Sequence, residues 1–247
     1  MNFIKILKLD LSNILKNPTL VISNTIVPLI MIMVMGFVTK SGYGADHISS
    51  YDYYGVTMMI FTALLIAMTA SNTFMEEKVK SGNTRIIYAP VSKTQIYLSK
   101  LIATYIVGTV AFSIILLVGQ SLFHINYGGK NLLYIMVLIN ILTLFGCSIG
   151  TLFCCILKSE EGANTFQQLV VLLFVFFGGV FFPVAYLGNV VEKISYLSPV
   201  KWVTECAFRI IYDHDFSIYL PTLSIVLIGS LVCIIISQII FKPEEYV

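Results

Sequence analysis

The sequence predicts an all-α integral membrane protein of six transmembrane helices with both termini in the cytoplasm, and three observations carry that expectation. The first is composition: 57% of the 247 residues are hydrophobic and 11% charged, where a soluble domain carries about a quarter charged residues. The second is patterning. The apolar residues fall in blocks of about twenty, the length that crosses roughly 30 Å of hydrocarbon at 1.5 Å per residue. The third is the placement of basic residues, developed below. A net charge of +2 gives no electrostatic footprint for nucleic acid. Cys147, Cys154, Cys155 and Cys233 sit inside apolar blocks as small hydrophobes, Cys206 stands alone, and no C-x-x-C pair suggests zinc or a disulfide.

The chain is expected to be one permease-like unit over 1–247. Its first element, residues 1–17, is an interfacial helix: Ile4, Leu7, Leu11 and Ile14 follow helical spacing, with Lys5, Ser12 and Lys16 on the other side. Asn17-Pro18 ends it, because proline disfavours helix in the residue before it. The apolar run begins only near Leu20 and no small-residue cleavage site follows, so a secretory signal is not expected. The six spans are expected at about 19–38, 53–74, 97–123, 132–157, 164–186 and 218–241. Within them Gly146-x-x-x-Gly150 and the Ala63, Ala67, Ser71 row allow close helix approach, and packing inside one chain is favoured over a dimer seam.

With the N-terminus inside, ten basic residues are cytoplasmic: Lys5, Lys8, Lys16, Lys78, Lys80, Arg85, Lys93, Lys100, Lys158 and Lys242. Five are external: Lys40, Lys130, Lys193, Lys201 and Arg209. The two-to-one ratio orients the chain N-in and, with an even number of spans, C-in.

No Asp, Glu, Lys, Arg or His occurs in the middle of an expected span, which removes the usual means of coupling to an ion gradient. The neutral polar residues there include Asn24, Thr69 and Asn140, which with Gln168 are candidates for lining a substrate path. There is no internal repeat, and no G-x-x-x-x-G-K-[ST] loop occurs; Gly128-Gly129-Lys130 lacks the upstream glycine and the Ser/Thr. Energy for uphill movement is therefore expected from a separate ATPase. His47, His124 and His214 are unclustered and external, so neither intramembrane catalysis nor metal binding is indicated.

Two polar interruptions are more than connecting loops. Residues 75–96 combine mixed charge at the membrane edge with caps: Asn83-Thr84 opens a short helix that Pro90 stops, and Ser92 with Gln95 forms a capping box that restarts one into the third span. Such a helix between two spans offers a mechanical contact for a peripheral protein. Residues 183–212 are too apolar for a water-exposed loop and hold two short amphipathic pieces, about 189–197 and 200–212, neither long enough to span. They suit a re-entrant or interfacial external hairpin, with Trp202 and Tyr196 at headgroup level and Glu205 paired to Arg209 at i, i+4.

Both interruptions resemble the membrane subunits of type-2 ABC exporters, permeases of drugs, lantibiotics, toxin peptides and polysaccharides. The family stretch E-E-[KR]-x-x-G-[TN]…P-V-[ST] is matched by Glu76-Glu77-Lys78, Ser81-Gly82-Asn83-Thr84 and Ala89-Pro90-Val91-Ser92. Its late break in span five is matched by Phe182-Pro183, and its P-x-x-[WY] segment by Pro199-Val200-Lys201-Trp202. Arg85 departs from the acidic residue that many relatives carry after Gly-Thr. The resemblance implies a half-transporter that binds no cofactor itself, paired with a second permease subunit and with an ATPase chain that holds ATP and magnesium. It implies ATPase coupling through Glu76, Glu77, Lys78, Gly82, Thr84, Arg85 and Pro90. It also implies an external gate of Phe182, Pro183, Pro199, Trp202, Glu205 and Arg209. Hydrophobic or amphipathic cargo, an antimicrobial or toxic peptide or a drug, suits the aromatic, uncharged spans. A polysaccharide or lipid exporter of the same architecture and a channel or peptide-sensing immunity subunit are the alternatives.

Overall fold

A computed structural model describes residues 3–40, 48–75 and 91–242, all of whose regular elements are helices. They are α1 (Phe3–Lys16), α2 (Pro18–Val38), α3 (Ser50–Met75), α4 (Lys93–Phe123), α5 (Leu132–Leu157), α6 (Glu160–Phe177), α7 (Asn189–Ser195), α8 (Pro199–Phe208) and α9 (Tyr219–Ile240). Short 3₁₀ turns occupy Gly129–Asn131 and Val184–Leu187, and one π turn, Arg209–Asp213, prolongs α8.

The boundaries follow local chemistry. Asn17 leaves the helical region and accepts a hydrogen bond from the Thr19 N–H at 3.2 Å, while Pro18 takes the first position of α2, where its missing N–H costs nothing. Ser92 caps α4 through the Gln95 N–H at 3.3 Å, as the capping-box pattern requires. Ser159 caps α6 and Ser198 caps α8, the latter again followed by proline.

Five helices, α2, α3, α4, α5 with its leading turn, and α9, are long and apolar enough to cross a membrane. Helix α3 is the axis: 83% of its most apolar stretch is buried inside the chain, against 22% for α2 and 17% for α9. The last two therefore present apolar side chains outward, as a bilayer solvent permits.

The expected fifth span is shorter than the pattern suggested. Helix α6 ends at Phe177 rather than near 186, and its first half carries Glu160, Glu161, Asn164, Gln167 and Gln168. Two causes end it. Gly179 adopts φ +71°, outside helical geometry. The carbonyls of Gly179 and Phe181 are also taken by the hydroxyls of Tyr53 (2.5 Å) and Tyr54 (2.9 Å) on α3. The side of α1 that packs inside the chain is a row of its own. Ile14 is buried, but Ile4 is 63% exposed, and the buried row is Ile6, Asp10 and Ile14.

The small-residue rows meet each other. A Cβ on Gly146 would lie 3.2 Å from the Leu64 Cα and against the Ala63 carbonyl. One on Gly150 would lie 2.7 Å from the Ala67 Cα. Helices α3 and α5 are thus in backbone contact, which replaces hydrophobic drive with dispersion where the solvent is lipid. At one end the rings of Phe74, Tyr97 and Phe241 meet edge-on or tilted, with centroids 5.7, 5.8 and 5.9 Å apart, fastening the end of α9 to α3 and α4. Gly150→Ala should destabilise the detergent-solubilised protein by about 1–3 kcal/mol, the cost of overpacking. Gly229→Ala, whose new methyl meets only the edge of the Phe145 ring at 3.0 Å, should cost less. Melting curves followed by size-exclusion chromatography compare the two.

Candidate functional site: two polar ends of one bundle

At one end of α3 a polar cluster joins four helices. Asp10 on α1 and Lys100 on α4 form an ion pair at 3.2 Å, with the side chains 1% and 2% exposed. The other Asp10 oxygen accepts the Ser99 hydroxyl at 2.8 Å, and the Lys100 ammonium also donates to the Thr73 carbonyl of α3 at 2.9 Å. Its remaining side lies over the Phe74 ring, 5.7 Å from the centroid. Thr73 meets Thr104 at 3.3 Å, and one turn deeper Asn24 on α2 donates to the Thr69 hydroxyl at 2.7 Å. Lys100, placed among the solvated cytoplasmic lysines on sequence, is therefore buried. What marks it is its position: it falls two turns into a long apolar helix, opposite Asp10 on the buried row of α1.

Neither charge leaves water cheaply, and the geometry compensates by giving each a charged partner and a hydrogen bond. The coupling residues Glu76, Glu77, Lys78, Gly82, Thr84, Arg85 and Pro90 lie outside the described residues. Their flanks do not: α3 ends at Met75, two residues past Thr73, and α4 begins at Lys93, two turns before Lys100.

Of the path candidates, Asn24 and Thr69 bond each other, and the second Asn24 bond goes to the Leu20 carbonyl at 2.7 Å. Asn140 ties α5 to α4, accepting from Thr109 at 2.9 Å and from Tyr105 at 3.3 Å. Gln168 is exposed and lines an approximately 280 Å³ groove between α3 and α6 with Phe61, Leu65, Thr165, Leu169 and Leu172. Its neighbour Gln167, which sequence reasoning passed over, is buried where three helices meet, donating to the Ser71 hydroxyl and, at 3.2 Å, to the Gly150 carbonyl.

At the opposite end of α3 the chain after α6 carries the short helices α7 and α8, within the segment 183–212 that the sequence predicts as a hairpin. Phe182 and Pro183 lie in its non-helical entry, held from below by Tyr53 and Tyr54. Pro199 opens α8, and Ser198 donates to the Phe174 carbonyl at 2.9 Å, seating α8 on α6. Gly178 allows that contact, since a Cβ there would strike Val200. Glu205 is the hub: it accepts from Arg209 at 2.6 Å and from the Tyr196 hydroxyl at 2.9 Å, and Lys201 lies 3.7 Å away. Arg209 also reaches Asp215 at 3.3 Å. Trp202 donates from its indole N–H to the Tyr196 carbonyl at 2.9 Å. The Glu205–Arg209 pair was legible from spacing; Tyr196, Lys201 and Asp215 needed the fold.

The partners shift the titrations. The hydrogen bond to Glu205 pushes the Tyr196 hydroxyl up, and Glu205 also holds the Arg209 guanidinium in its charged form. The Ser217 N–H and hydroxyl, with Arg209, hold the Asp215 carboxyl below its usual range. A carboxyl held low stabilises the fold above its unfolded value and loses that contribution only as pH falls through the folded value, so this link persists at neutral pH. Among the described residues no group of His, Cys, Asp and Glu could hold a metal ion.

A family model described as ABC-2 type transporter matches residues 1–212. The linearmycin resistance permease protein LnrN of Bacillus subtilis (strain 168) is 26% identical over 143 residues, which are 58% of this chain and 37% of that protein. This chain thus spans little more than a third of that relative.

Asp10→Ala or Lys100→Ala should destabilise the protein by about 3–5 kcal/mol, because each strands a buried charge. The double variant Asp10→Asn/Lys100→Met should recover most of that loss, measured as the melting temperature of the purified chain. Trp202 is the only tryptophan, so its emission reports the hairpin alone. Glu205→Gln should shift that emission to the red, with secondary structure by circular dichroism unchanged.

Proposed function

The chain belongs to the ABC-2 type transporter family, and on that premise we propose that it is the membrane half of an ATP-driven exporter, worked by a separate ATPase subunit. Its place in the cell is the cytoplasmic membrane, with both termini inside. Helix α6 is the fifth of six spans; its 18 residues reach about 27 Å, and the hairpin that follows dips back from the outer surface. The Asp10–Lys100 end is then cytoplasmic and the Glu205 end external.

The observation that carries this reading is that one helix touches both ends. Helix α3 bonds Lys100 through Thr73, two residues before the segment that resembles a coupling helix. Its other end holds the hairpin entry through Tyr53 and Tyr54, about 20 residues or 30 Å away. A push on residues 76–92, delivered when the ATPases close on ATP and magnesium, reaches the exit along a rigid buried rod. Two conformations of the hairpin, biased by nucleotide on the partner, suffice for alternating access.

A second permease subunit, identical or a sister chain, covers the exposed apolar side of α6, where Phe166, Leu169, Leu172 and Leu173 are 48–56% exposed. The groove at Gln168 then faces the path between the two. Its lining is aromatic, aliphatic and uncharged, which suits a hydrophobic or amphipathic cargo. The name of the relative, a linearmycin resistance permease, supports a toxic compound, peptide or drug, over a polysaccharide.

Co-expression of the chain with a candidate ABC ATPase subunit from the same genome, followed by transport into inside-out vesicles, tests the proposal. ATP-dependent uptake is expected with both proteins present and with neither alone. Glu77→Lys should abolish uptake and the stimulation of ATP hydrolysis while leaving the chain in the membrane. Tyr53→Phe/Tyr54→Phe should lower uptake while ATP hydrolysis persists, since it loosens the exit and not the engine. Uptake that needs no ATPase, or single-channel conductance from the chain alone, would refute the reading.

A further inference from the structure

Beside the polar cluster, on the outer side of the bundle, α1, α2 and α4 leave an open cleft of about 190 Å³. Leu11 and Leu15 of α1, Val21 of α2, and Val107, Val110 and Ala111 of α4 line it. Two polar residues, Asn24 and Thr25, also reach it, but both are engaged inside the protein. Asn24 donates to the Leu20 carbonyl and to Thr69, and the Thr25 hydroxyl donates to the Val21 carbonyl at 2.6 Å. The cleft therefore offers an occupant almost no hydrogen bond. Its wall on α4 runs from Ile106 to Ile114, about 12 Å at 1.5 Å per residue. An unbranched hydrocarbon chain meets that description; a cargo with buried polar groups would leave them unpaired.

The rim has one sign of charge. Helix α1 carries a single acid, Asp10, and that acid is buried against Lys100. The charged residues that α1 exposes are Lys5, Lys8 and Lys16. Lys8 stands three residues before Leu11 and seven before Leu15, so the three share a face one and two turns apart. A cation thus sits where the cleft opens towards the end of the bundle that holds Asp10, and no exposed carboxylate on α1 competes for it.

We propose that this cleft is a binding site for an anionic phospholipid, one acyl chain lying between α1, α2 and α4 and the phosphate group on Lys8. The ion pair gives the site its charge, by removing the only acid of α1 from the surface. The proposal requires membrane insertion but not the partner ATPase, so it stands or falls separately from the exporter reading. Bound lipid would hold α1 against α2 and α4 from outside, as Asp10 holds it from within.

The test reconstitutes the full chain in bilayers of equal phosphatidylglycerol and phosphatidylethanolamine, extracts it gently, and counts retained lipids by native mass spectrometry. The wild-type chain should retain phosphatidylglycerol in preference. Lys8→Gln should lower that preference about five-fold, the effect of one basic residue at an anionic surface. Ala111→Phe fills the cleft and should abolish retention of either lipid. Val110→Phe enters it from the exposed side, where Val110 is 53% exposed, and serves if the first variant does not fold. Equal retention of the two lipids by the wild-type chain would overturn the proposal, because a neutral occupant would then fill the cleft. So would retention undiminished by either phenylalanine.

Discussion

A carboxylate and an ammonium that leave the water together decide how this chain begins its fold. Asp10 and Lys100 are each almost wholly buried, a condition that a lone charge in hydrocarbon-like surroundings does not survive. Their pairing gives α1 a fixed seat on α4, and the spare Lys100 donor extends the seat to α3 through the Thr73 carbonyl. From there the order spreads by short steps, through Thr104, then Thr69 and Asn24, until four helices share one cluster. The same burial leaves lysines as the only charged residues on the exposed side of α1. An interfacial helix with that surface faces anionic headgroups, and the cluster beneath it faces the point where α3 leaves the bundle. The pair is the junction between membrane surface, bundle and the segment on which an engine would act.

Helix α3 carries that junction across the membrane. Backbone contact with α5 at Gly146 and Gly150 leaves it little room to bend or slide. At its far end two adjacent tyrosines, Tyr53 and Tyr54, donate to the carbonyls of Gly179 and Phe181 just past the end of α6. The hairpin is thus supported by α3 and seated on α6 by Ser198, while its outer surface is tied by pairs around Glu205. Those pairs are partly exposed, with Arg209 38% accessible, and each contributes little stability by itself. They fix shape more than they add free energy, which suits an element that must have two positions.

Much of this was legible in the residues. The hydropathy blocks gave the helices within a few positions, because a bilayer imposes length on any segment that crosses it. The Gly146 and Ala63 rows announced their own contact, and the caps at Asn17, Ser92 and Ser198 marked helix starts. The two amphipathic pieces of the hairpin and the Glu205–Arg209 pair followed from spacing. What stayed hidden was long-range pairing. Periodicity gave the apolar side of α1 but said nothing of Asp10, since no local pattern reveals a partner 90 residues away. Lys100 looked solvated for the same reason. The early end of α6 depended on acceptors being claimed by tyrosines 126 and 127 residues back. Apolar continuity from Phe174 to Phe182 masked it. Gln167 and Gln168 read alike, yet one is locked among three helices and the other faces a groove; only rotation of α6 separates them.

The central claim is that nucleotide on a partner ATPase moves the hairpin relative to the bundle that supports it. It is tested most directly by spin labels at Leu197 on the hairpin and Leu122 at the end of α4, positions 84% and 68% exposed, in the assembled complex in lipid nanodiscs. Double electron–electron resonance should give one distance distribution without nucleotide and a shifted one with ATP and vanadate. The shift should vanish in the Glu77→Lys variant. A distribution that nucleotide leaves unchanged in a complex that still hydrolyses ATP would contradict the account.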